Sequence, residues 1–460
     1  MTTSPHGCPL TGKKHLSGAK TLSDNLTLLL DRMAAAGATS FYAKRLAPND
    51  NSKNQIYLGG GFEALNTVPH GAIETDNTSK AGSVRDRAKA PVWFFWLDAQ
   101  GLSPAPDVQL ILYPKYPEVR ISGFLKGTER APSDLLRSRD PGRVLFIGTC
   151  PDGRVFGAAA GWSDPIVTAL DAAEPLETTG VFLNLTGLRT GITDTRKALI
   201  NRLREIYQAG WIASKKLGPK GPQPYQAQNG GGYTLEAELG ITPNGNADPD
   251  YLGWEIKQYG VRDFIRFAPK SAVTLMTPEP TAGYYRVAGP DAFVRRFGYP
   301  DQSGKIDRIN FGGAYAIGKE ANGLTGLSLA LSGYDATRGK ITDMDGGIHL
   351  IDADGTRAAT WAFEGLISHW NRKHGRACYV PSIRQGPPID YQYGSRIEMC
   401  EGTDFFLFLK AVSEGVVYYD PALKLEGAKS AKPALKRRSQ FRVRHQALAG
   451  LYRKFELEML

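Results

Sequence analysis

Two domains are expected in this chain of 460 residues, a β-rich one followed by a larger one of mixed α and β structure. Three observations predict this. A hydrophobic content of 42% over that length is enough for two or three packed cores. Between about residues 92 and 161, strand-like apolar runs follow one another closely with turn residues between them, which favours a small barrel or sandwich over a parallel sheet. Near residue 165 the texture changes, and from about residue 191 helical and strand patterns mix.

The elements follow in order. Leu26, Leu29, Leu30 and Met33 repeat at helical spacing, so a helix is expected over 23–36, with Ser23 as its cap and Gly37 at its end. Segments 92–100, 107–114, 118–124 and 143–161 read as strands, the last folded into a hairpin at Pro151-Asp152-Gly153. Residues 166–190 read as a connector. A second helix is expected after Thr193, with Leu199, Ile200, Leu203, Ile206 and Tyr207 as its apolar face and Gly210 interrupting it. The Pro/Gly-rich stretch 215–232 reads as a loop. Phe363, Leu366, Ile367 and Trp370 stripe a further helix over 359–374. No repeat of 20–50 residues is present.

Composition excludes several classes. The charged fraction of 22% and mean hydropathy of −0.30 are those of a soluble protein, and no apolar run approaches the ~18–20 residues of a membrane helix. The N-terminus is polar and lacks a signal peptide's apolar core, which predicts a cytoplasmic location. Cys8, Cys150, Cys378 and Cys400 are scattered with no CxxC pair, and the seven histidines form no HExxH or HxH cluster, so neither a disulfide framework nor a structural zinc site is expected. A formal charge of +10 favours polyanion partners. The basic segment 423–455 is interleaved with aromatics, and the Phe441/Val443 alternation predicts an ordered basic strand.

The chemistry concentrates in GGGYTLEAELGITPNGNADPDYLGWEIKQYG, residues 230–260. TLEAELG reads as a short helix that puts Glu236 and Glu238 on different faces. YLGWEIKQY reads as a strand in which Glu255 and Lys257, two apart, share a face while Trp254 and Ile256 pack on the other. A bend near Gly253 would bring the Asp250 carboxylate beside that of Glu255. Two converging carboxylates repel unless a cation lies between them. Mg²⁺ accepts such oxygen ligands and keeps waters. A nearby lysine can orient or deprotonate the attacking water and offset charge on phosphate. A bare D-x4-E-x-K pattern is also compatible with a surface strand carrying an ion pair. The acids here lie in an apolar strand, where unpaired charge is costly.

This stretch resembles the catalytic core of the MvaI/BcnI-type restriction endonucleases, PD-(D/E)xK enzymes related to the mismatch-repair nicking enzyme MutH. The helix with LE..LG, the Gly/Asn-rich turn, PD and the G-W-E-I-K strand occur in the family's order. The resemblance implies an α+β or α/β chain whose domain 191–460 has a mixed sheet flanked by helices. It implies catalytic roles for Glu236, Asp250, Glu255 and Lys257, with Asp250 and Glu255 as metal ligands, Lys257 positioning water, Glu236 supporting the metal, and Glu238 and Asp248 as bystanders. The implied cofactor is Mg²⁺, with Mn²⁺ as substitute and Ca²⁺ supporting binding without cleavage. The implied partner is double-stranded DNA, bound by a monomer with no obligatory protein partner. Lys373 and His374 fall in the family's helix-to-strand step, placed to approach DNA. Asp420, Arg438, Arg442 and Arg444 fall in its late recognition segment, where arginine suits guanine and aspartate suits cytosine.

Residues 41–65, with YPEVRISGFLKG and GRVLFIG, resemble the effector domain of the EcoRII restriction enzyme, a plant-type B-three pseudobarrel. That implies a DNA-binding β-pseudobarrel over 22–165, with one arm formed by Lys44, Arg45, Asn49, Asp50 and Asn54 and the other by Lys115, Glu118 and Arg120. Together the two resemblances imply a type II restriction endonuclease cutting both strands at a CCNGG-type site, CCWGG being the single best match. A MutH-like nicking nuclease and a DNA-binding regulator with an inactive nuclease fold are the alternatives.

Overall fold

The computed structural model describes residues 26–53, 55–76, 87–173, 175–189, 194–227, 229–243 and 249–460. The first helix, Leu26–Ala35, buries the expected stripe of Leu26, Leu29, Leu30 and Met33. Gly37, at φ 111°, ends it. Ser23 and Thr193, the two expected caps, lie outside the described residues; the second helix, Thr195–Gln208, is capped instead by the Asp194 carboxylate, which accepts from Lys197 N–H at 3.0 Å. Tyr207 is exposed rather than part of that helix's apolar face.

The N-terminal part holds two open sheets. One has seven strands in the order 178–179, 182–184, 40–46, 143–149, 154–160, 93–98, 101–104; the other has five, ordered 56–60, 118–122, 109–113, 88–91, 74–75. Ile147, Phe94, Trp96 and Val155 of the first share a buried core with Ile56, Leu110, Leu112 and Ile121 of the second. The described strands do not close into a barrel. The expected 143–161 hairpin forms, with Arg143–Thr149 antiparallel to Arg154–Ala160 and Gly153 at φ 90° in the turn.

The stretch 166–190 differs from the expected connector. Pro165–Ala173 is a helix that buries Ile166, Val167 and Leu170 against the first helix's side of the seven-stranded sheet, and Phe182–Asn184 pairs with the 40–46 strand. Its apolar positions are few and short, so only packing against a preformed sheet reveals them. The stretch 215–232 also differs. Lys215–Gly218 and Gly221–Pro224 form a hairpin, its prolines tolerated because the pair is isolated from larger sheets. A helix then begins at Gly230. A Cβ on Gly230 would sit 2.5 Å from Ser214 Oγ, so a glycine is needed for this close approach. The helix expected over 359–374 forms as Phe363–His374 with its whole stripe, while its first expected residues belong to strand Arg357–Ala362.

The main C-terminal sheet is mixed. Strand Glu255–Gly260 runs parallel to Arg376–Gln385, which is antiparallel to Asp390–Tyr393 and Arg396–Glu401; the last of these pairs with Lys454–Met459. Trp254, Ile256, Cys378 and Val380 face a core shared with helix Thr195–Gln208 and Leu235. Tyr259, Ala377 and Tyr379 belong to the core that contains helix Phe363–His374.

That core continues into the N-terminal sheets, so the two parts are docked. Phe62, fully buried, stacks at a tilt on Phe406, and its N–H donates to Asp404 Oδ2 at 3.1 Å. Asn66 donates to Thr403 O, and Thr75 N–H to Glu364. Among the described residues no helix is long and apolar enough to cross a membrane, and Cys150, Cys378 and Cys400 are free and buried.

Candidate active site

The geometry of the site starts from a tight turn. Tyr251 and Trp254 exchange backbone hydrogen bonds of 2.9 and 2.8 Å across Leu252 (φ 50°) and Gly253 (φ 84°). Two successive positive-φ residues reverse the chain within two positions. This is the bend that the sequence places near Gly253, and it occupies the part of YLGWEIKQY expected as strand. It folds Asp250 back alongside the strand, so that its Oδ2 accepts from Ile256 N–H at 3.0 Å.

Within the strand, side-chain alternation does the rest. Trp254 and Ile256 enter the core, and Glu255 and Lys257 share the opposite face. Glu255 is buried, with 2% exposure. Its Oε1 accepts from Lys257 Nζ at 2.6 Å and lies 3.8 Å from Lys373 Nζ. Its Oε2 is buried and accepts no hydrogen bond. Burial alone pushes the Glu255 carboxyl up, but Lys257 and Lys373 outweigh it and hold the group below its ordinary range.

The other acids are held differently. Burial, then the Asp250 charge, pushes Glu236 up to about 7. Burial, then the Glu255 charge, pushes Asp250 up to about 6. The charges of Lys257 and Lys373 act on all three of these carboxyls. Glu238 pairs with Lys215 at 2.5 Å; Asp248 lies outside the described residues.

Lys373 arrives by a route the sequence does not display. Glu255 pairs with Ala377 in the parallel neighbour, and helix Phe363–His374 ends just before that strand, which sets Lys373 level with Glu255. His369, four residues earlier on the same helix face, also senses Lys373, Lys257 and Glu255; burial and these lysines push it down. It was not expected at the site, although its i, i+4 spacing from Lys373 is visible in the sequence.

Among the described residues, no three His, Cys, Asp or Glu side chains converge as a metal-ligand group. Asp250 and Glu255 remain as two carboxylates, and magnesium commonly binds through one or two carboxylates plus water and phosphate. The buried Glu255 Oε2 with no hydrogen-bond partner, and the two carboxyls raised by burial and then by a neighbouring negative charge, suit a divalent cation.

The DNA-reading candidates scatter. Three of them, Lys44, Asp50 and His374, are buried and bonded within the chain. Lys44 is buried and bonds Asp50 at 2.7 Å, while Asp50 also accepts from Ala47 and Tyr57 N–H groups, so this pair fixes its own loop. His374 is fully buried between Tyr452 Oη and Leu275 O, each at 3.0 Å, and burial pushes it down to about 3. Arg45 is exposed and pairs with Asp171. Asn49 and Lys115 are exposed, Glu118 pairs with Arg120 at 2.9 Å, and Asn54 lies outside the described residues. Strand Phe441–Val443 forms with Phe441 and Val443 inside, and Arg442, on its other face, bonds Asp420 at 2.6 Å. Arg438 and Arg444 are exposed. Lys115 lines a cleft of about 400 Å³ with Tyr116, Arg338 and Lys340.

The mixed sheet thus presents a buried glutamate, an aspartate returned by a turn and a lysine two positions on. The chain belongs to the MvaI/BcnI restriction endonuclease family, whose pattern matches residues 200–452, and it is thus a site-specific nuclease of the restriction endonuclease class. Among solved structures it is similar to restriction endonuclease MvaI in complex with a cognate DNA substrate, at 16% identity and TM-score 0.43, over 58% of this chain and 99% of that one. It is also similar to MvaI in the absence of DNA, at 14% identity and TM-score 0.33, over 59% and 100% of the respective chains. No curated protein matches the chain by sequence.

Proposed function

We propose that this chain is a type II restriction endonuclease that hydrolyses both strands of duplex DNA at a CCNGG-type site, CCWGG first, leaving 5′-phosphate and 3′-hydroxyl ends. It acts in the cytoplasm as a monomer. Residues 191–460 supply a PD-(D/E)xK catalytic domain, and the N-terminal sheets act as a B-three-like DNA-binding module despite being open. Arg45, Asn49, Lys115, Arg120, Arg438, Arg442 and Arg444 are the side chains we assign to DNA.

The observation that carries the reading is the unpartnered, buried Glu255 Oε2 beside an Asp250 carboxyl raised to about 6. Asp250 and Glu255 would hold Mg²⁺, with Glu236 in support. A divalent cation there would polarise the scissile phosphodiester and acidify the attacking water. Lys257, tied to Glu255 at 2.6 Å, is fixed where its ammonium can orient that water. The Tyr251–Trp254 turn holds Asp250 in place, and the family membership supports cleavage as the outcome.

The test is digestion of a plasmid of known sequence with Mg²⁺, followed by end sequencing, for the wild type and Asp250→Ala. Linear products with ends at CCWGG from the wild type, and none from Asp250→Ala, are expected, with Ca²⁺-supported DNA binding retained in the variant. Open circles alone would indicate a nicking enzyme. Binding without any wild-type cleavage would indicate a regulator.

A further inference from the structure

We propose that Lys373 is a second phosphate-contacting cation of this active site, delivered by the last turn of helix Phe363–His374 and taking the charge role that a second divalent ion would otherwise fill. This rests on the function proposed above and adds a residue to it.

Three observations carry it. Lys257 already bonds Glu255 Oε1 at 2.6 Å, whereas Lys373 Nζ stays at 3.8 Å from the same oxygen. That is too long for a hydrogen bond, so the three donors of this ammonium are not used on Glu255. A lysine whose task was to neutralise Glu255 would close to bonding distance, as Lys257 does. Second, the Lys373 side chain keeps 24% of its surface open while Glu255 keeps 3%. The ammonium therefore sits at the mouth of the site rather than sealed beneath it. Third, the charges balance. Glu236, Asp250 and Glu255, all ionised once a cation is bound, leave one negative charge against Lys257 and Lys373; one divalent cation and one phosphodiester bring the sum to zero. Without Lys373 the DNA-bound site is one charge too negative for a single metal. A cation near a helix C-terminus is favoured by the macrodipole, but that does not explain its placement against a buried carboxylate.

In the step itself, the water oxygen forms a bond to phosphorus as the bond to O3′ breaks; the water releases a proton and the 3′ oxygen takes one up. Lys373 transfers no proton. It contacts a phosphoryl oxygen whose charge grows at the transition state, and removing such a donor costs on the order of 10²-fold in rate.

The experiment compares full-length wild type, Lys373→Met and Lys373→Arg on a plasmid fragment that the wild type cuts, with melting curves to establish folding. The expected single-turnover rate of Lys373→Met is lower on the order of 10²-fold, with Ca²⁺-supported affinity for the fragment nearly unchanged. The DNA-free variant should bind Mn²⁺ more tightly, because a like charge has left the cation site. Lys373→Arg should recover much of the rate. A Lys373→Met rate equal to wild type, while Asp250→Ala is dead, overturns this inference alone; cleavage by Asp250→Ala overturns the function it rests on. Equal losses in Lys373→Met and Lys373→Arg with lowered melting would mark a structural residue and also overturn it. If Lys373→Met does not fold, Lys373→Gln carries the same comparison.

Discussion

The Tyr251–Trp254 turn offers a way to disturb the metal site without touching an acid. Gly253 sits at φ 84°, and a Cβ built there would meet nothing within 4 Å. Gly253→Ala therefore acts through backbone strain alone, about 1–2 kcal/mol for an L-residue in the left-handed region. At about tenfold per 1.4 kcal/mol, that lowers the closed turn relative to open forms by roughly 5- to 30-fold. The open turn would lose the bond from Ile256 N–H to Asp250 Oδ2 at 3.0 Å and withdraw the carboxylate from Glu255. The expected result is a single-turnover cleavage rate reduced by up to that factor, with Ca²⁺-supported DNA binding and melting temperature little changed, because the affected turn is partly exposed. The paired control is Leu252→Asn. Leu252 already carries the strain at φ 50°, and asparagine tolerates this region better, so this variant should cleave as well as wild type or faster. A wild-type rate in Gly253→Ala would refute the turn's role in placing Asp250.

Two further predictions concern pH and domain docking. Glu236 and Asp250 are raised to about 7 and about 6, so between about pH 4 and 7 the folded metal-free protein binds more protons at these groups than the unfolded chain. Their contribution to stability falls as pH rises through that window, and a bound cation offsets the loss. Ca²⁺ should therefore raise the melting temperature more at about pH 8 than at about pH 5.5; equal shifts would contradict the crowded-carboxylate picture. Phe62 is fully buried between the two parts of the chain, so Phe62→Ala should cost about 3–5 kcal/mol by chemical denaturation. Unchanged stability would show that Phe62 does not dock the N-terminal sheets on Phe406.

Much of the site was legible because it depends on local rules. The stripe in Leu26–Ala35, the Arg143–Ala160 hairpin, and the shared face of Glu255 and Lys257 follow from helix and strand periods. The bend before Glu255 follows from a glycine that only a positive φ requires. What was not legible depends on distant partners. Lys373 reaches Glu255 because strands 255–260 and 376–385 pair in parallel, a register that no local pattern specifies. His374 is buried against Tyr452 and Leu275, far away in sequence, while Lys44 and Asp50 bond each other within their own loop, an arrangement that residue type alone does not display. The 166–190 segment folds only because the seven-stranded sheet offers it an edge and a face. The 215–224 hairpin is hidden in the sequence because its prolines and glycines are turn residues wherever no partner strand is visible.

The most direct measurement is the anomalous signal of Mn²⁺ in crystals of the full chain with duplex DNA. The expected result is a peak at ligating distance from Asp250 and from Glu255 Oε2, the oxygen that has no partner in the free chain. A peak elsewhere, or none while Glu255 Oε2 stays bare, would contradict the assignment of these two carboxylates as the metal site.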